Sequence, residues 1–101
     1  MIPYLVNMTA HLFIYEKINT TLARAKKLKS YAEKLITIGK TDSVNSRRIA
    51  TSKIRDKQAV KKLFEVISKR YADRNGGCIQ IFKLGFRQGD SAPLAIVRLI
   101  Q

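Results

Sequence analysis

The sequence of 101 residues has little of what builds covalent or metal-linked sites. It contains one cysteine, Cys78, and one histidine, His11. One cysteine excludes a disulfide framework within the chain, and this pair leaves almost no basis for a zinc site of the Cys/His type. No apolar run approaches the roughly 20 residues that a helix needs to span a bilayer. We therefore expect no structural metal and no membrane-spanning segment, and our leading interpretation includes no membrane partner.

The sequence also lacks the marks of targeting and of division into domains. Its first fifteen residues are apolar but have no basic segment before them and no small-residue cleavage site, so we do not expect a secretory signal. We find no internal repeat, low-complexity tract or Pro/Gly-rich linker. A chain of this length can bury a core but cannot also hold a second domain and a deep substrate cleft. We expect one domain over residues 1–101.

Acidic residues are scarce beside basic ones. The sequence contains seven Asp and Glu and 20 Lys and Arg, which gives a formal charge of +13. The imbalance is concentrated in residues 20–75, with a net charge of +11, between two apolar ends. Because repulsion among these positive charges opposes compaction, the charge favours a polyanionic partner. Nucleic acid is the leading candidate for that partner.

The residues that could do chemistry do not form a catalytic pattern. His11 lies in the most apolar segment, with no nucleophile or acid at a motif spacing. Cys78 is better interpreted as a small buried side chain, and the acids at helix boundaries as caps. Gly76 and Gly77 follow a predicted helix and lack the phosphate-loop pattern. We predict no enzyme, no cofactor and no small-molecule substrate.

Hydrophobic periodicity predicts four helices followed by two strands. The helices are expected over residues 4–15, 22–38, 44–54 and 57–74, and the strands over residues 78–84 and 94–100. Thr20 or Thr21, Asp42 or Ser43, and Asp56 are the predicted N-caps. Gly39 is expected to end the second helix, and the Asn75-Gly76-Gly77 run to end the fourth.

These elements predict an α+β fold with two layers, in which about four helices pack on a small sheet that ends in a C-terminal β-hairpin. Residues 17–20 are a candidate third strand. The core is predicted from the apolar stripes of the helices and from both strands. It comprises Leu22, Leu28, Leu35, Leu63, Phe64, Ile67, Ile81, Phe82 and Val97.

The basic residues are scattered over several predicted helices, which fits RNA of complex shape better than DNA read by one dedicated helix. Residues 44–54 and 57–74 form a poor helix-turn-helix, because Arg55-Asp56 lacks a turn glycine. Two alternatives stay open at this point. One is a free DNA- or RNA-binding regulator, and the other is a basic amphipathic protein on an anionic membrane surface.

Five sequence runs in register resemble the L17 family of bacterial-type large-subunit ribosomal proteins. The similarity extends from about Leu5 to Ile100. The runs are TTLARAK (Thr20–Lys26), EKLIT (Glu33–Thr37), KLF (Lys62–Phe64), RYADRNGG (Arg70–Gly77) and GDSAPLA (Gly89–Ala95).

This resemblance implies a structural, non-enzymatic component of the large ribosomal subunit. It implies binding to large-subunit rRNA near the mouth of the polypeptide exit tunnel, with other large-subunit ribosomal proteins as neighbours. We predict the rRNA-binding residues from the matching runs, from the helix charges and, for paired arginines in the third helix, from a tendency of the family. They are Arg24, Lys26, Lys27, Lys34, Arg47, Arg48, Lys53, Arg55, Arg70, Arg74, Asn75, Gly76 and Gly77.

The sequence departs from the family at its N-terminus. Val6 stands where an arginine is usual and Tyr15 where a histidine is usual, and the basic arm that normally precedes the first helix is missing. We expect any rRNA contacts of that arm to be lost or supplied by a neighbour. The missing arm fits a divergent organellar ribosome, or a processed or incomplete chain. Together with the Lys/Ile/Asn-rich composition it favours the ribosome of an organelle, the mitochondrial matrix first, with a plastid or a bacterial cytoplasm as alternatives.

Overall fold

The computed structural model describes residues 3–74, 77–86, 88–90 and 92–100. Helices come first along the chain, with one short strand among them, and two longer strands follow. The elements are α1 (Pro3–Tyr15), β1 (Lys17–Thr21), α2 (Leu22–Gly39), α3 (Val44–Ile54), α4 (Lys57–Lys62), a π-helical segment (Leu63–Ile67), α5 (Ser68–Arg70), β2 (Ile79–Phe86) and β3 (Pro93–Leu99).

Side-chain caps begin three of the helices as the sequence predicts. Thr21 accepts a hydrogen bond from the Arg24 amide at the start of α2, and Ser43 does the same for Ser46 at the start of α3. Asp56 Oδ1 accepts from the Ala59 amide at 3.1 Å. Each cap satisfies an amide that has no partner within its own helix.

Gly39 does not end α2 by adopting a positive φ, as its position suggested. It is the last, buried residue of the helix, and Lys40 follows in right-handed helical geometry. A Cβ at Gly39 would lie 2.2 Å from Ser68 Oγ and 3.2 Å from Leu63 Cγ. Glycine is therefore required here because α2 and the helical segment over residues 57–70 approach closely. Ser68 Oγ donates to the Ile36 carbonyl at 3.2 Å and fixes this contact.

The fourth predicted helix is shorter and less regular than its apolar stripe indicated. It runs through the π-helical segment and ends at Arg70, before the predicted Asn75-Gly76-Gly77 stop. Tyr71 leaves the helix as a buried residue, and its hydroxyl donates to the Ile100 carbonyl. The helix stops before the glycines because Tyr71, with φ −108° and ψ 20°, already departs from helical geometry.

The three strands form an antiparallel sheet in the order β1-β3-β2. The candidate third strand is confirmed: Ile18 pairs with Val97, and Ile81 pairs with Val97 from the other side. Alternate residues of β3, namely Ala95, Val97 and Leu99, are buried against the helices. The helices cover one face of the sheet, which confirms the two-layer α+β fold and its C-terminal hairpin.

The prediction that Phe82 belongs to the core is wrong. Phe82 is 42% exposed, and Leu84 and Phe86 are 51% and 74% exposed. Phe82 pairs with Ile96, on the face of the sheet that the helices leave uncovered. A register shift between Lys83 and Gly85 then interrupts the regular pairing of β2 with β3. Leu28, Leu35, Leu63, Phe64, Ile67 and Val97 are buried as predicted, while Leu22 and Ile81 pack against the core partly buried.

Candidate nucleic-acid interface

One side of α2 carries a row of polar residues at helical spacing. Arg24, Lys27, Tyr31 and Lys34 are separated by three or four positions and therefore lie above one another on the helix. The three cations are exposed and Tyr31 is partly buried. The buried stripe of α2, which includes Leu28 and Leu35, holds this row in place by packing into the core.

Tyr31 joins this row to the end of α3. Its hydroxyl donates to the Lys53 carbonyl at 2.8 Å. Burial raises the pKa of Tyr31, and the nearby charge of Arg55 opposes that rise. Lys27 and Lys34 therefore flank Tyr31 on α2, while Lys53 and Arg55 approach it from α3. We call these four cations the α2–α3 basic face.

Arg55 takes its place on this face through an unusual backbone conformation. It ends α3 in the left-handed region, with φ 61°, and its amide donates to the Thr51 carbonyl at 2.9 Å. Asp56 follows at once as the N-cap of α4. This junction needs no glycine, and it leaves the Arg55 side chain exposed.

Arg48 lies on the solvent side of α3. It is exposed and, with Val44, Arg47, Thr51 and Ser52, lines a shallow groove of about 460 Å³. Val44 itself is 74% exposed. The groove is open along one helix face and suits a flexible chain or a backbone better than a small molecule.

Two of the predicted binding arginines form ion pairs with carboxylates of the protein itself. Arg47 forms a bidentate ion pair with Asp42, at 2.7 Å from Nε and 3.0 Å from Nη2, and its guanidinium lies over the Phe64 ring. This hydrogen-bonded pair lowers the pKa of Asp42. Arg70 pairs with Glu16 at 2.6 and 3.3 Å. Each arginine is largely neutralised by its carboxylate, unlike the α2–α3 basic face.

The remaining predicted residues are spread more widely. Arg24 lies over the Tyr4 ring at 4.6 Å, and Lys26 is exposed on α2. Arg74 is exposed, and its carbonyl accepts a hydrogen bond from Lys40 Nζ. Gly77 has φ 65° and open space where a Cβ would be, so its backbone conformation, not a close approach to the sheet, favours glycine. Asn75 and Gly76 lie outside the described residues.

Cys78 and His11, the residues considered for catalysis or metal binding, take part in packing. Cys78 is buried, and burial is the main cause that raises the pKa of its thiol. His11 is exposed and packs against the Tyr15 ring at 4.6 Å, at the rim of a groove of about 660 Å³ between α1 and the α3–α4 junction. Within the described residues, His, Cys, Asp and Glu do not gather into a group of three able to hold a metal.

The structure also shows two features that the sequence analysis missed. Glu16 gathers Arg70 and Lys62 into one cluster, and Lys62 Nζ lies 3.1 Å from Glu16 Oε2. Arg98 lies over the exposed Phe82 ring at 4.6 Å on the sheet. Helical spacing could not find the first, because Glu16 and Lys62 are far apart in the sequence. For the Arg98–Phe82 contact, the alternation of side chains between the two faces of β3 was the signal that the sequence offered.

The sequence matches a known protein family over most of its length. A family model described as Ribosomal protein L17 matches residues 4–100. The chain belongs to the ribosomal protein L17 family. A relative named "Large ribosomal subunit protein bL17", from Allorhizobium ampelinum, is 50% identical over 95 residues, which cover 94% of this chain and 67% of the relative.

Membership of the L17 family confirms the resemblance that the five sequence runs indicated, and it confirms a structural ribosomal protein and not an enzyme. The relative is bacterial, so it gives no support to the preference for a mitochondrion. Among the described residues, the helices are too short or too polar to cross a bilayer.

Proposed function

We propose that this L17-family chain binds large-subunit rRNA as a structural component of the large ribosomal subunit, and that the α2–α3 basic face carries the contact. The observation that supports this most is the clustering of Lys27, Lys34, Lys53 and Arg55 around the Tyr31–Lys53 hydrogen bond. Two helices thus present cations toward one region, as recognition of a folded RNA backbone requires.

The charges of this face are available to a partner. The ion pairs among the described residues join Arg47 to Asp42, and Lys62 and Arg70 to Glu16, and none of them includes a member of the face. Asp56, next to Arg55 in the chain, caps α4 and takes part in none of these ion pairs. Phosphates brought to the face would therefore meet cations that are not already neutralised.

The resemblance to the family supports a finer placement. We propose that the chain lies near the mouth of the polypeptide exit tunnel and contacts other large-subunit ribosomal proteins there. Chemical cross-linking of purified large subunits, followed by mass spectrometry of the linked peptides, tests this placement. Cross-links from the exposed lysines to proteins at the tunnel mouth are expected. Cross-links only to proteins distant from the tunnel would contradict it.

Association with the subunit is tested by sedimentation of the tagged chain in lysate through a high-salt sucrose gradient. We expect the chain to migrate with the large subunit. Recovery only in the free fractions would favour the alternative of a free nucleic-acid-binding regulator and would overturn the ribosomal role.

The contribution of the face is tested by charge reversal. We expect Lys27→Glu with Lys53→Glu to weaken binding of the purified chain to large-subunit rRNA and to flatten its salt dependence, by about 0.7 to 0.9 in log–log slope for each phosphate that is no longer neutralised. Lys61→Glu with Lys69→Glu is the control for net charge, because it reverses the same number of exposed lysines outside the face. Equal losses of affinity in the face variants and in this control would show that total charge, and not the face, drives binding.

A further inference from the structure

The sheet has a second surface, on the side that the helices leave uncovered. Register places Lys17, Arg98 and Gln80 side by side across the three strands, and Asn19, Ile96 and Phe82 in the next row. Their neighbours Ala95, Val97 and Leu99 point into the core, so these six residues share the opposite face. We call them the outer sheet face.

An arginine and an aromatic ring form the centre of the outer sheet face. The Arg98 guanidinium lies 4.6 Å from the centroid of the Phe82 ring, and Arg98 Nη2 donates to Gln80 Oε1 at 3.4 Å. Both partners are neutral, in contrast to the carboxylates that hold Arg47 and Arg70. Arg98 is thus oriented by contacts that leave its charge intact, and Phe82 remains 42% exposed beside it.

The surroundings of this pair are mainly basic and apolar. Glu16 lines the same groove as Lys17, Gln80 and Arg98, but its carboxylate is paired with Lys62 and Arg70. None of the three strand sequences contains an acidic residue. Lys17 adjoins Arg98, and at the other end of β1 a groove of about 310 Å³ is lined by Thr21, Arg24 and Leu94, among others. Lys17 therefore stands at one end of β1, and Arg24, on α2, lines the groove at the other end of this strand, which is roughly 13 Å long.

This combination fits one class of partner better than others. A purely apolar protein surface would bury Lys17 and Arg98 without a counter-charge, which is costly. Unpaired RNA offers phosphates for the cations and base faces that stack on aromatic rings and guanidinium planes. We propose that the outer sheet face binds unpaired RNA nucleotides, with a base stacked at the Arg98–Phe82 pair and phosphates contacted by Lys17 and Arg24.

The consequence is a protein with two RNA-binding surfaces, one on the helical layer and one on the outer side of the sheet. The first recognises the charge and shape of a folded backbone. The second requires bases that are free to stack. A chain built in this way would hold an unpaired RNA segment against a neighbouring structured one.

The test uses the full chain and two probes, a single-stranded adenine RNA oligonucleotide and an abasic strand of the same length. We expect Phe82→Ala to weaken binding of the oligonucleotide about tenfold, within the range for removal of one base–aromatic stack, and to leave binding of the abasic strand unchanged. Phe82→Tyr retains a ring and should bind the oligonucleotide nearly as the parent does. Circular dichroism and urea unfolding confirm that each variant is folded.

Phe86→Ala is the matched control. Phe86 is 74% exposed and pairs with Pro93, two positions before Ala95 on β3, which places it on the other side of the hairpin. Its removal should change oligonucleotide binding by less than twofold. Equal effects of Phe82→Ala and Phe86→Ala, or equal affinity of the parent for the oligonucleotide and the abasic strand, would overturn the proposal.

The two proposed RNA surfaces are tested by different variants and different probes, so that either proposal can be wrong while the other holds. The Lys27→Glu, Lys53→Glu variant tests the proposed function through structured rRNA, whereas Phe82→Ala tests the outer sheet face through the unpaired oligonucleotide. If Phe82→Ala leaves oligonucleotide binding intact but abolishes a cross-link to a neighbouring ribosomal protein, the outer sheet face is a protein contact and the RNA proposal is wrong, whatever the result at the basic face.

Discussion

Arg70 and Glu16 join the end of the helical layer to the start of the sheet, with Arg70 Nη1 2.6 Å from Glu16 Oε1. Glu16 lies between α1 and β1 with φ 66°, and its carbonyl accepts from the Leu99 amide at 3.0 Å. Lys62 reaches the same site, because its Nζ donates to the Ile14 carbonyl at 2.8 Å and pairs with the Glu16 carboxylate. One carboxylate therefore connects three parts of the fold.

We expect Glu16→Gln to lower the free energy of unfolding by about 1 to 2 kcal/mol, because a partly shielded carboxylate with two cationic partners is replaced by a neutral amide. Urea unfolding followed by circular dichroism measures this change. Glu65→Gln is the control, since Glu65 is exposed, and its effect should stay within about 0.5 kcal/mol. Equal losses of stability in the two variants would contradict a special role for Glu16.

The same carboxylate makes a prediction about pH. The hydrogen-bonded Arg70 guanidinium, aided by Lys62, lowers the pKa of Glu16 in the folded chain. A lowered pKa stabilises the fold above the ordinary carboxyl pKa, and this stabilisation is lost as pH falls through the folded value. The difference in stability between the parent and Glu16→Gln should hold from pH 8 to about 5.5 and shrink below about pH 4. A difference in stability that persists unchanged in acid would show that Glu16→Gln acts through side-chain packing and not through charge.

Much of the helical layer could be predicted from the sequence because its signals are local. Thr21, Ser43 and Asp56 cap their helices within three residues, and the apolar stripes of α2 and of the helical segment over residues 57–70 follow the helical period. The errors arose where distant contacts decide. Tyr71 departs from helical geometry where its hydroxyl donates to a carbonyl 29 residues later. Phe82 is a large apolar side chain, but it lies on the face of the sheet that the helices leave uncovered.

The same distinction between local signals and distant contacts applies to the candidate site. Sequence charge located the cations of the α2–α3 basic face, and helical spacing placed Lys27, Tyr31 and Lys34 in one row. Neither could show that Arg70 is neutralised by Glu16, 54 positions away. Neither could show that Arg98 rests on Phe82, because that contact depends on the pairing register of β2 and β3.

Gly39 gives a prediction about packing. Gly39→Ala should destabilise the fold by about 1 to 3 kcal/mol, because the new Cβ would collide with Ser68 Oγ and crowd Leu63. Ser68→Ala removes the colliding oxygen, so the double variant should lose less stability than the sum of the two single losses. Urea unfolding of all four proteins completes the cycle. Additive losses would show that the collision with Ser68 Oγ does not explain the glycine.

Arg47 and Arg48 are adjacent and identical in type, but the structure assigns them different roles. Arg47 is tied to Asp42 and covers the Phe64 ring, whereas Arg48 is exposed beside the groove on α3. We expect Arg47→Ala to lower the urea midpoint, since it removes packing as well as charge. Its effect on rRNA affinity should be smaller than that of Arg48→Ala.

Arg48→Ala should do the reverse, weakening rRNA binding several-fold and reducing its salt slope by about 0.7 to 0.9, with an unchanged urea midpoint. Filter binding across a salt series and urea unfolding, applied to both variants, measure the two effects on one scale. Because both substitutions remove one positive charge from the same helix, a general effect of net charge would weaken binding equally. Equal weakening, with equal stability, would therefore refute the distinction between a structural arginine and an RNA-facing one.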